Sequence, residues 1–261
     1  RQFLSYLPSS IWELPPRAES WDDPDRREES LLSIVPRDRK KAYQMRRIIE
    51  AVVDQGSFFE IARGFGRAII TGFARLDGWP VGILAGDPLH DGGAWNPAAS
   101  RKITKFVDTC QTFHLPVVHL VDCFGFAVGL QAESTGTMRF AVQAVSAIHQ
   151  STVPWCSIIV RNVFGVGGGA HLPHTHPSFR YSWPSGNWGS LPLEGGVEAA
   201  YRAEIDAPDD PVAKLAEIEA RLERLRSPFR TAEAFLVEEI IDPRDTRPLI
   251  CEFANLAAPL R

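Results

Sequence analysis

The sequence predicts an α/β fold in which parallel strands are covered by helices on their faces. Two strand-like runs come first, and after them apolar runs alternate with amphipathic segments: SRKITKFVDTCQTF, PVVHLVD, STGTMRFAVQAVSAIHQS and PWCSIIVRNVFG. Strands that are apolar along their whole length are typical of parallel sheets buried on both faces. Ligands of such folds bind beyond the carboxyl ends of the strands, so we expect the functional residues in the turns that follow them.

Residues 1–41 are predicted to form an extended, linker-like segment before a folded domain of residues 42–261. Prolines at positions 8, 15, 16, 24 and 36 prevent long helices there. A helix is predicted from Tyr43 to the DQG sequence at 54–56, with apolar residues at helical spacing: Met45, Ile48, Ile49, Val52 and Val53. Asp77 and Gly78 then predict a two-residue hairpin turn between the runs RAIITGFARL and WPVGILAG.

The later elements follow from the same patterns. Asp122 closes the strand PVVHLVD, the residues CFGFAVG form a turn, and ESTG is expected to begin the next helix as its N-cap. Residues 210–228 predict a long helix with one apolar stripe of Leu215, Ile218, Leu222 and Leu225, which we expect to pack on the protein or on a partner subunit. A last strand and a closing helix are predicted within VEEIIDPRDTRPLICEF.

Composition excludes several classes of function. The chain has 261 residues, is 44% hydrophobic and carries a net charge of −4, and no cluster of basic and aromatic residues suggests binding to nucleic acid. The four cysteines lie in apolar segments without a C-x-x-C pair, so we expect reduced core residues. Neither an apolar run of membrane-spanning length nor a signal peptide is present, which favours the cytoplasm, or an organelle matrix if an upstream targeting sequence is missing.

The sequence FGVGGGAH at 164–171 is the clearest candidate for chemistry. Backbone N–H groups at a strand-to-helix turn bind an oxygen that develops negative charge, and glycine permits the close approach that this requires. The same glycines are compatible with a tight turn or a close helix crossing. A phosphate-binding loop is disfavoured, because no Lys-Ser or Lys-Thr follows and the G-x-G-x-x-G spacing does not fit.

Side-chain chemistry is less well supported by the sequence. The histidines at 171, 174 and 176 have a conceivable metal-ligand spacing, but no Asp, Glu or Cys lies between 165 and 193, so we predict no metal site. No G-x-S-x-G motif marks a nucleophilic serine. If the protein is an enzyme, we expect it to act through backbone electrostatics.

Several longer segments resemble a known family. The segments QGSFFEIARGFGRAIITGFARLDGWPVGILAGDP, FVDTCQTFHLPVVHLVD, STVPWCSIIVRNVFG, SWPSGNWGSLPLEGG and EEIIDPRDTR resemble the C-terminal half of the carboxyltransferase β subunits of acetyl- and propionyl-CoA carboxylases. The resemblance implies a crotonase-like ββα-superhelix for residues 42–261. It implies an enzyme that moves CO2 from carboxybiotin to the α-carbon of an acyl-CoA, with this half binding biotin through backbone amides.

The resemblance also assigns site residues by position. The amides that bind the biotin oxygen fall on Gly167 and Gly168, or on Gly169 and Ala170, since this loop is longer than the usual Tyr-Gly-Gly-Ala-Tyr. The other assigned residues are a cofactor-binding lysine, Lys102, and four biotin-binding residues, Phe124, Gly125, Phe126 and Val166.

Some positions depart from the family pattern. Phe124 stands where the family usually has proline, and Phe140 and Gln143 stand where many relatives carry His and Lys. His171 and Leu172 lie near the position of an acidic residue that is associated with the choice of acyl chain. The acyl-CoA is therefore not specified by the sequence.

The resemblance implies partners as well. An N-terminal half in the same or a separate chain would bind the acyl-CoA, and biotin carboxylase and biotin carrier subunits would complete a dimer-based assembly, of which a hexamer is one form. Two alternatives stay open: a decarboxylase of the same family acting on a malonyl-type CoA, and a scaffold half that has lost biotin chemistry.

Overall fold

One mixed sheet forms the centre of the molecule. The structure, a computed structural model, describes residues 1–173, 178–190, 196–207 and 210–260. Its strands are β1 (Phe59–Ile61), β2 (Ile69–Leu76), β3 (Trp79–Gly86), β4 (Val117–Cys123), β5 (Trp155–Phe164), β6 (Ser178–Ser182), β7 (Asn187–Gly189) and β8 (Glu239–Ile240). The order across the sheet is β1-β2-β3-β4-β5-β6-β8, and β7 pairs with the end of β5. The first three strands are antiparallel, and every later pairing in this order is parallel.

The helices are α1 (Gln2–Ser5), α2 (Leu31–Ile34), α3 (Met45–Val52), α4 (Pro97–Thr112), α5 (Leu130–Ser134), α6 (Thr137–Gln150), α7 (Gly165–Gly169), α8 (Gly196–Ala200), α9 (Arg202–Ile205), α10 (Pro211–Leu225), α11 (Pro228–Glu233) and α12 (Thr246–Ala257). The described helices are all too short or too polar to span a membrane. The α4 and α6 helices supply the crossovers that parallel strands require, one between β3 and β4 and one between β4 and β5.

The sheet is buried on both faces, which explains why most residues of β4 and β5 are apolar. On one face, α3 and α12 contribute Met45 and Phe253 to a core with Val118 and Ile158. On the other face, α4 and α6 contribute Ile103 and Ile148, among others, to a core with Val117 and Trp155. The predicted α/β fold is confirmed, and the carboxyl ends of β4 and β5 lie side by side.

The hairpin turn between β2 and β3 is also confirmed. Leu76 pairs with Trp79, and Asp77 and Gly78 have φ values of +47° and +79°. Two successive positive φ angles are those of a type I′ turn, which favours Asp-Gly. The helix predicted from Tyr43 is α3, whose apolar positions are buried.

The helix predicted to begin at ESTG is α6, which starts at Thr137 with Gly136 as its N-cap and without a side-chain cap. Glu133 and Ser134 are the end of a separate short helix, α5, which the sequence did not predict. Gly136 separates the two helices with φ +77°, a left-handed conformation that interrupts the helical hydrogen-bond series. The α4 helix starts three residues before the predicted segment, at Pro97, because the Asn96 side chain accepts a hydrogen bond from the amide of Ala99.

The late helix is α10, and its apolar stripe is only partly confirmed. Ile218 is fully buried, and Leu215 and Leu222 pack beside it against α8 and α9. Leu225 is 47% exposed and lies outside this cluster. The predicted last strand and closing helix correspond to β8 and α12.

The first 41 residues run along the folded body and contact it. Tyr6 and Leu31 are each 2% exposed, and Arg247 of α12 donates from Nε to the carbonyl of Asp23. The division into a linker and a domain at residue 41 stays a prediction. The expectation of reduced core cysteines is confirmed, since all four are free and buried.

Candidate functional site

The turns that follow β4 and β5 meet at one edge of the sheet. A Cβ atom built on Gly167 would lie 3.0 Å from Cδ1 of Phe126 and 3.1 Å from the carbonyl carbon of Gly125. Gly125 has φ +95°, and a Cβ atom there would lie 3.1 Å from the carbonyl oxygen of Phe164. The structure therefore brings together the two glycine turns that the sequence predicts as one site.

The first turn is held by Trp95. The amide of Trp95 donates to the carbonyl of Gly125 over 2.9 Å, and the amide of Ala127 donates to the carbonyl of Trp95 over 3.1 Å. The rings of Trp95 and Phe126 lie 5.8 Å apart. Phe124, at the position where proline is usual, has its ring edge-on to Phe164, 5.5 Å away.

The second turn is the short helix α7, and its glycines serve different purposes. A Cβ atom on Gly168 would lie 2.6 Å from the carbonyl carbon of Val163, so the helix folds back directly onto its own strand. A Cβ atom on Gly169 would have no atom within 4 Å. At Gly168, the missing side chain therefore permits a close contact between the backbone of α7 and the backbone of β5.

The arrangement of α7 also distinguishes its amides. Backbone N–H groups in the first turn of a helix have no acceptor within that helix, and these belong to Gly165, Val166 and Gly167. The amide of Ala170, by contrast, donates to the carbonyl of Val166 over 3.0 Å. The amide of Ala170 is thus paired within α7, whereas Gly167, from the expected pair of Gly167 and Gly168, lies in the first turn; which pair binds a ligand stays a prediction.

A buried polar cluster, the Asp122 cluster of Tyr43, Asp122, Arg161 and Asn162, lies just before both turns. The Oδ2 atom of Asp122 accepts from the Tyr43 hydroxyl (2.8 Å) and from Nε of Arg161 (3.1 Å). Its Oδ1 atom accepts from the backbone amide (3.1 Å) and from Nδ2 (2.7 Å) of Asn162. Burial raises the pKa of Asp122, while Arg161 and the hydrogen bonds act in the opposite direction.

A second set of hydrogen bonds holds the end of the glycine segment. The carbonyl of His171 accepts from Nδ1 of His119 (2.9 Å), Nε1 of Trp155 (2.8 Å) and Oγ of Ser157 (2.7 Å). Burial lowers the pKa of His119 to about 3, so its ring is neutral and carries the proton on Nδ1. His171 itself bonds through Nδ1 to the carbonyl of Gly168 over 2.8 Å.

The described residues contain no group of three potential metal-ligating side chains. His174 and His176 lie outside the described residues. His171 takes part in the hydrogen bonds above, which join the glycine segment to the sheet.

Lys102 lies in a different environment, between α4 and β2. Its Nζ donates to the carbonyl of Ile69 over 2.7 Å, and burial lowers its pKa to about 8.

Lys102 faces a cavity of about 820 Å³, which we call the α4 cavity. Aromatic rings line this cavity, and they include Phe3, Phe65 and Phe140. The guanidinium of Arg101 lies 5.9 Å and 5.7 Å from the ring centroids of Phe65 and Phe140. The contacts of Lys102 within the described chain therefore link it to β2 rather than to either turn.

The polar side chains buried beside the turns were not predicted from the sequence. Arg161 and Asn162 are a polar pair inside the otherwise apolar run that forms β5, and such a pair signals a buried partner. The partner, Asp122, was recognised only as a strand end. His119 in β4 and Ser157 in β5 gave a similar signal, since each is a further polar residue within a mostly apolar strand.

Comparisons with known proteins show the family of the chain. The carboxyl transferase domain model matches residues 1–259. The carboxyltransferase subunit of propionyl-CoA carboxylase from Haloferax mediterranei is 36% identical over 252 residues, which are 95% of this chain and 48% of that protein. Methylmalonyl-CoA decarboxylase subunit alpha from Veillonella parvula is 31% identical over 265 residues, with 100% and 50% covered.

A solved structure extends the likeness to the fold. The crystal structure of transcarboxylase 12S, a hexamer with methylmalonyl-coenzyme A and methylmalonic acid bound, matches with a TM-score of 0.88 and 32% identity over 98% of this chain and 49% of that chain. The expected crotonase-like fold is thereby confirmed. The chain spans about half the length of the relatives it matches, as expected for one half of such a subunit. With the domain model covering nearly all of its residues, this chain belongs to the carboxyl transferase domain family.

Proposed function

We propose that this chain is the biotin-binding half of the carboxyltransferase of a biotin-dependent acyl-CoA carboxylase. The observation that carries this proposal is the contact between the Gly125 turn and α7 at the adjacent carboxyl ends of two parallel strands, in a chain of the carboxyl transferase family. The two turns are in direct contact, with Gly167 against the ring of Phe126, and we infer that together they form a cradle for a flat, polar ring. Biotin, a bicyclic urea, fits such a cradle.

The amides of Val166 and Gly167 are the proposed donors to the ureido oxygen of biotin. They belong to the first turn of α7, where N–H groups are free of helical acceptors, and Gly167 faces the Gly125 turn. Preorganised donors of this kind stabilise an oxygen that gains negative charge. Gly168 is proposed to seat the helix on Val163 rather than to bind the ligand.

Neighbouring side chains would shape the cradle rather than react. Cys123 precedes the first turn, and burial raises the pKa of its thiol to about 12, so it is a protonated thiol at neutral pH and no general base. The rings of Phe124 and Phe126 are fixed by Phe164 and Trp95. Carboxybiotin, delivered on a carrier protein, would supply the CO2 for transfer to the α-carbon of the acyl-CoA.

The substrate and the partners are proposals that rest on relatives. The names of the relatives and the bound methylmalonyl-coenzyme A of the 12S structure make propionyl-CoA the first acyl-CoA to assay. A second half of the subunit would bind that ester, and biotin carboxylase and biotin carrier subunits would act before it. A hexamer, as in the 12S structure, is the proposed assembly. The cytoplasm or an organelle matrix is the expected compartment.

The experiment that tests this function removes one amide from the first turn of α7. Proline is tolerated in the first turn of a helix, and in Val166→Pro it deletes an N–H group that has no helical acceptor. Val166→Ala is the matched control, because it shortens the same exposed side chain and keeps the amide. The assay is carboxyl transfer from methylmalonyl-CoA to free biocytin by the complete complex.

We expect Val166→Pro to lower kcat about 100-fold or more, the usual effect of losing one such donor, and Val166→Ala to stay within about threefold of the wild type. Equal rates for the two variants would refute the assignment of the Val166 amide. A wild-type complex that transfers no carboxyl group to biocytin from any malonyl-type ester would refute the carboxyltransferase itself.

A decarboxylase is the second candidate, and the similarity to methylmalonyl-CoA decarboxylase subunit alpha along the whole chain favours keeping it. A decarboxylase would bind the same biotin in the same cradle but would run the transfer from the CoA ester to biotin. Loss of CO2 from methylmalonyl-CoA without ATP in the native complex would support this direction. A scaffold half would differ from both, since it would bind no biocytin.

A further inference from the structure

The Asp122 cluster occupies the place where the pairing of β4 and β5 is interrupted. Val121 pairs with Ile159, but Cys123 pairs with Val163, so β5 carries two more residues than β4 between these pairs. Such bulges break the ladder of backbone hydrogen bonds and are frequent beside active sites. Both proposed ligand-binding turns begin directly after this irregularity.

The carboxylate of Asp122 fills the interruption. Its Oδ1 atom accepts the backbone amide of Asn162 (3.1 Å), replacing a ladder acceptor with a side-chain oxygen. The same carboxylate binds Nδ2 of Asn162 (2.7 Å) and Nε of Arg161 (3.1 Å), so three of its four hydrogen bonds join β4 to β5. Asp122 is 0% exposed and Arg161 is 5% exposed, which makes these bonds costly to break.

The fourth hydrogen bond extends the cluster to the segment before α3. The hydroxyl of Tyr43 donates to Oδ2 of Asp122 over 2.8 Å, and the guanidinium of Arg161 lies 4.8 Å from the ring centroid of Tyr43. Arg161 also donates from Nη1 to the carbonyl of Lys41 over 2.8 Å. The strand ends are thus fixed to each other and to a third element.

We propose that Asp122 is a positioning residue that sets the distance between the Gly125 turn and α7. Gly125 is three residues after Asp122, and Val166 and Gly167 follow Asn162 by four and five residues. A shift of the strand ends at the bulge would therefore separate the two sides of the cradle. The consequence for biotin rests on the proposed function, whereas the coupling of the two turns does not.

The test is Asp122→Asn, with Asp54→Asn as the matched control. Asp54 is also buried, also paired with a buried arginine (Arg247 Nη2, 3.0 Å), and also bound to backbone amides, those of Asp77 (3.0 Å) and Gly78 (2.8 Å). Asp54 acts at the β2–β3 hairpin, away from both turns. The two variants thus lose the same chemical group from two buried ion pairs.

The first readout is hydrogen exchange of backbone amides in the native complex. In Asp122→Asn we expect amides of residues 123–127 and 163–170 to exchange at least about tenfold faster together, with the rest of the sheet unchanged. In Asp54→Asn both segments should exchange as in the wild type. A uniform increase across the protein in Asp122→Asn, or faster exchange in only one of the two segments, would overturn the proposal.

The second readout is carboxyl transfer to biocytin. We expect Asp122→Asn to lower kcat by about 10- to 100-fold, because a displacement of about 1 Å at a preorganised site has effects of that size. KM for biocytin should change by less than about threefold, and Asp54→Asn should keep the wild-type kcat. An inactive wild type would refute the proposed function, while the exchange data would still decide the coupling.

A milder variant covers the case in which Asp122→Asn does not fold. Tyr43→Phe removes one of the four hydrogen bonds to Asp122 and keeps the ring beside Arg161. We expect the same two segments to exchange about two- to fivefold faster. Unchanged exchange in Tyr43→Phe, with Asp122→Asn unfolded, would reject the positioning role.

Discussion

The two glycine turns differ from the α4 cavity in which groups matter, backbone or side chain. At the turns, the proposed ligand-binding groups are backbone amides, and the polar side chains of the Asp122 cluster and of His119 are buried. The α4 cavity is lined by side chains, with Arg101 and Lys102 among aromatic rings. Substitutions at the turns should therefore act through geometry, and substitutions in the cavity should act through charge.

The largest effect is expected for Gly168→Ala. The added Cβ would lie 2.6 Å and 2.8 Å from the carbonyl carbon and Cα of Val163, which are backbone atoms that no rotamer change can move. Either α7 or β5 must shift, and we expect a loss of about 2 to 4 kcal/mol in the free energy of unfolding, measured by urea denaturation.

Gly169→Ala is the control for this prediction, since a Cβ atom there meets no neighbour within 4 Å. Alanine is the better helix former, so the free energy of unfolding should stay the same or rise by up to about 1 kcal/mol. Equal losses in the two variants would show that the helix is sensitive to side chains in general and that the contact with Val163 has no special role.

These glycines show what can be predicted from the sequence and what cannot. Three glycines after an apolar run predicted a turn at a sheet edge. Gly125 follows another predicted strand, and it predicted a second turn beside the first, because the ends of parallel strands meet at one edge. The sequence could not assign a purpose to each glycine. That Gly168 packs on Val163 while Gly169 is open depends on the exact direction in which α7 leaves β5.

Local sequence patterns could not predict the polar partners of Asp122. Tyr43 and Asp122 are 79 positions apart, and only the complete fold brings them together. The strands β6 and β7, of five and three residues, were too short to give a clear alternation. The break between α5 and α6 was missed because a glycine within a helical pattern is often tolerated, whereas Gly136 takes a left-handed conformation.

His119→Phe tests the buried side of the glycine site. The pKa of His119 is about 3 in the folded protein and about 6.5 in an unfolded chain, so below pH 6.5 the unfolded state binds a proton that the folded state does not. Stability from this group is present above pH 6.5 and is lost as the pH falls towards 3, by up to about 1.4 kcal/mol per pH unit.

At pH 7.5 we expect His119→Phe to be about 1 kcal/mol less stable than the wild type, because the carbonyl of His171 loses one of three donors. Since the variant lacks the titrating ring, this difference should shrink or reverse between pH 6 and about pH 4.5. Urea denaturation at three pH values measures it. A difference that stays constant with pH would mean that the pKa of His119 is the same in the folded and unfolded proteins, so that burial does not lower it.

Lys102→Met makes the corresponding test in the α4 cavity, with a smaller expected effect and at the opposite end of the pH scale. The pKa of Lys102 is lowered from 10.5 to about 8 in the folded protein, so between these values the unfolded state binds more protons. Stability therefore rises with pH from about 8 to 10.5, and below pH 8 the buried charge lowers the free energy of unfolding by its full amount.

Methionine is similar in length to lysine and carries no charge, so Lys102→Met should raise the melting temperature at pH 7. This gain should vanish towards pH 10.5. Thermal unfolding of both proteins at pH 7, 9 and 10.5 measures the difference. An equal gain at all three pH values would come from packing alone. It would mean that the charge of Lys102 lies in water and that substitutions in the α4 cavity do not act through charge.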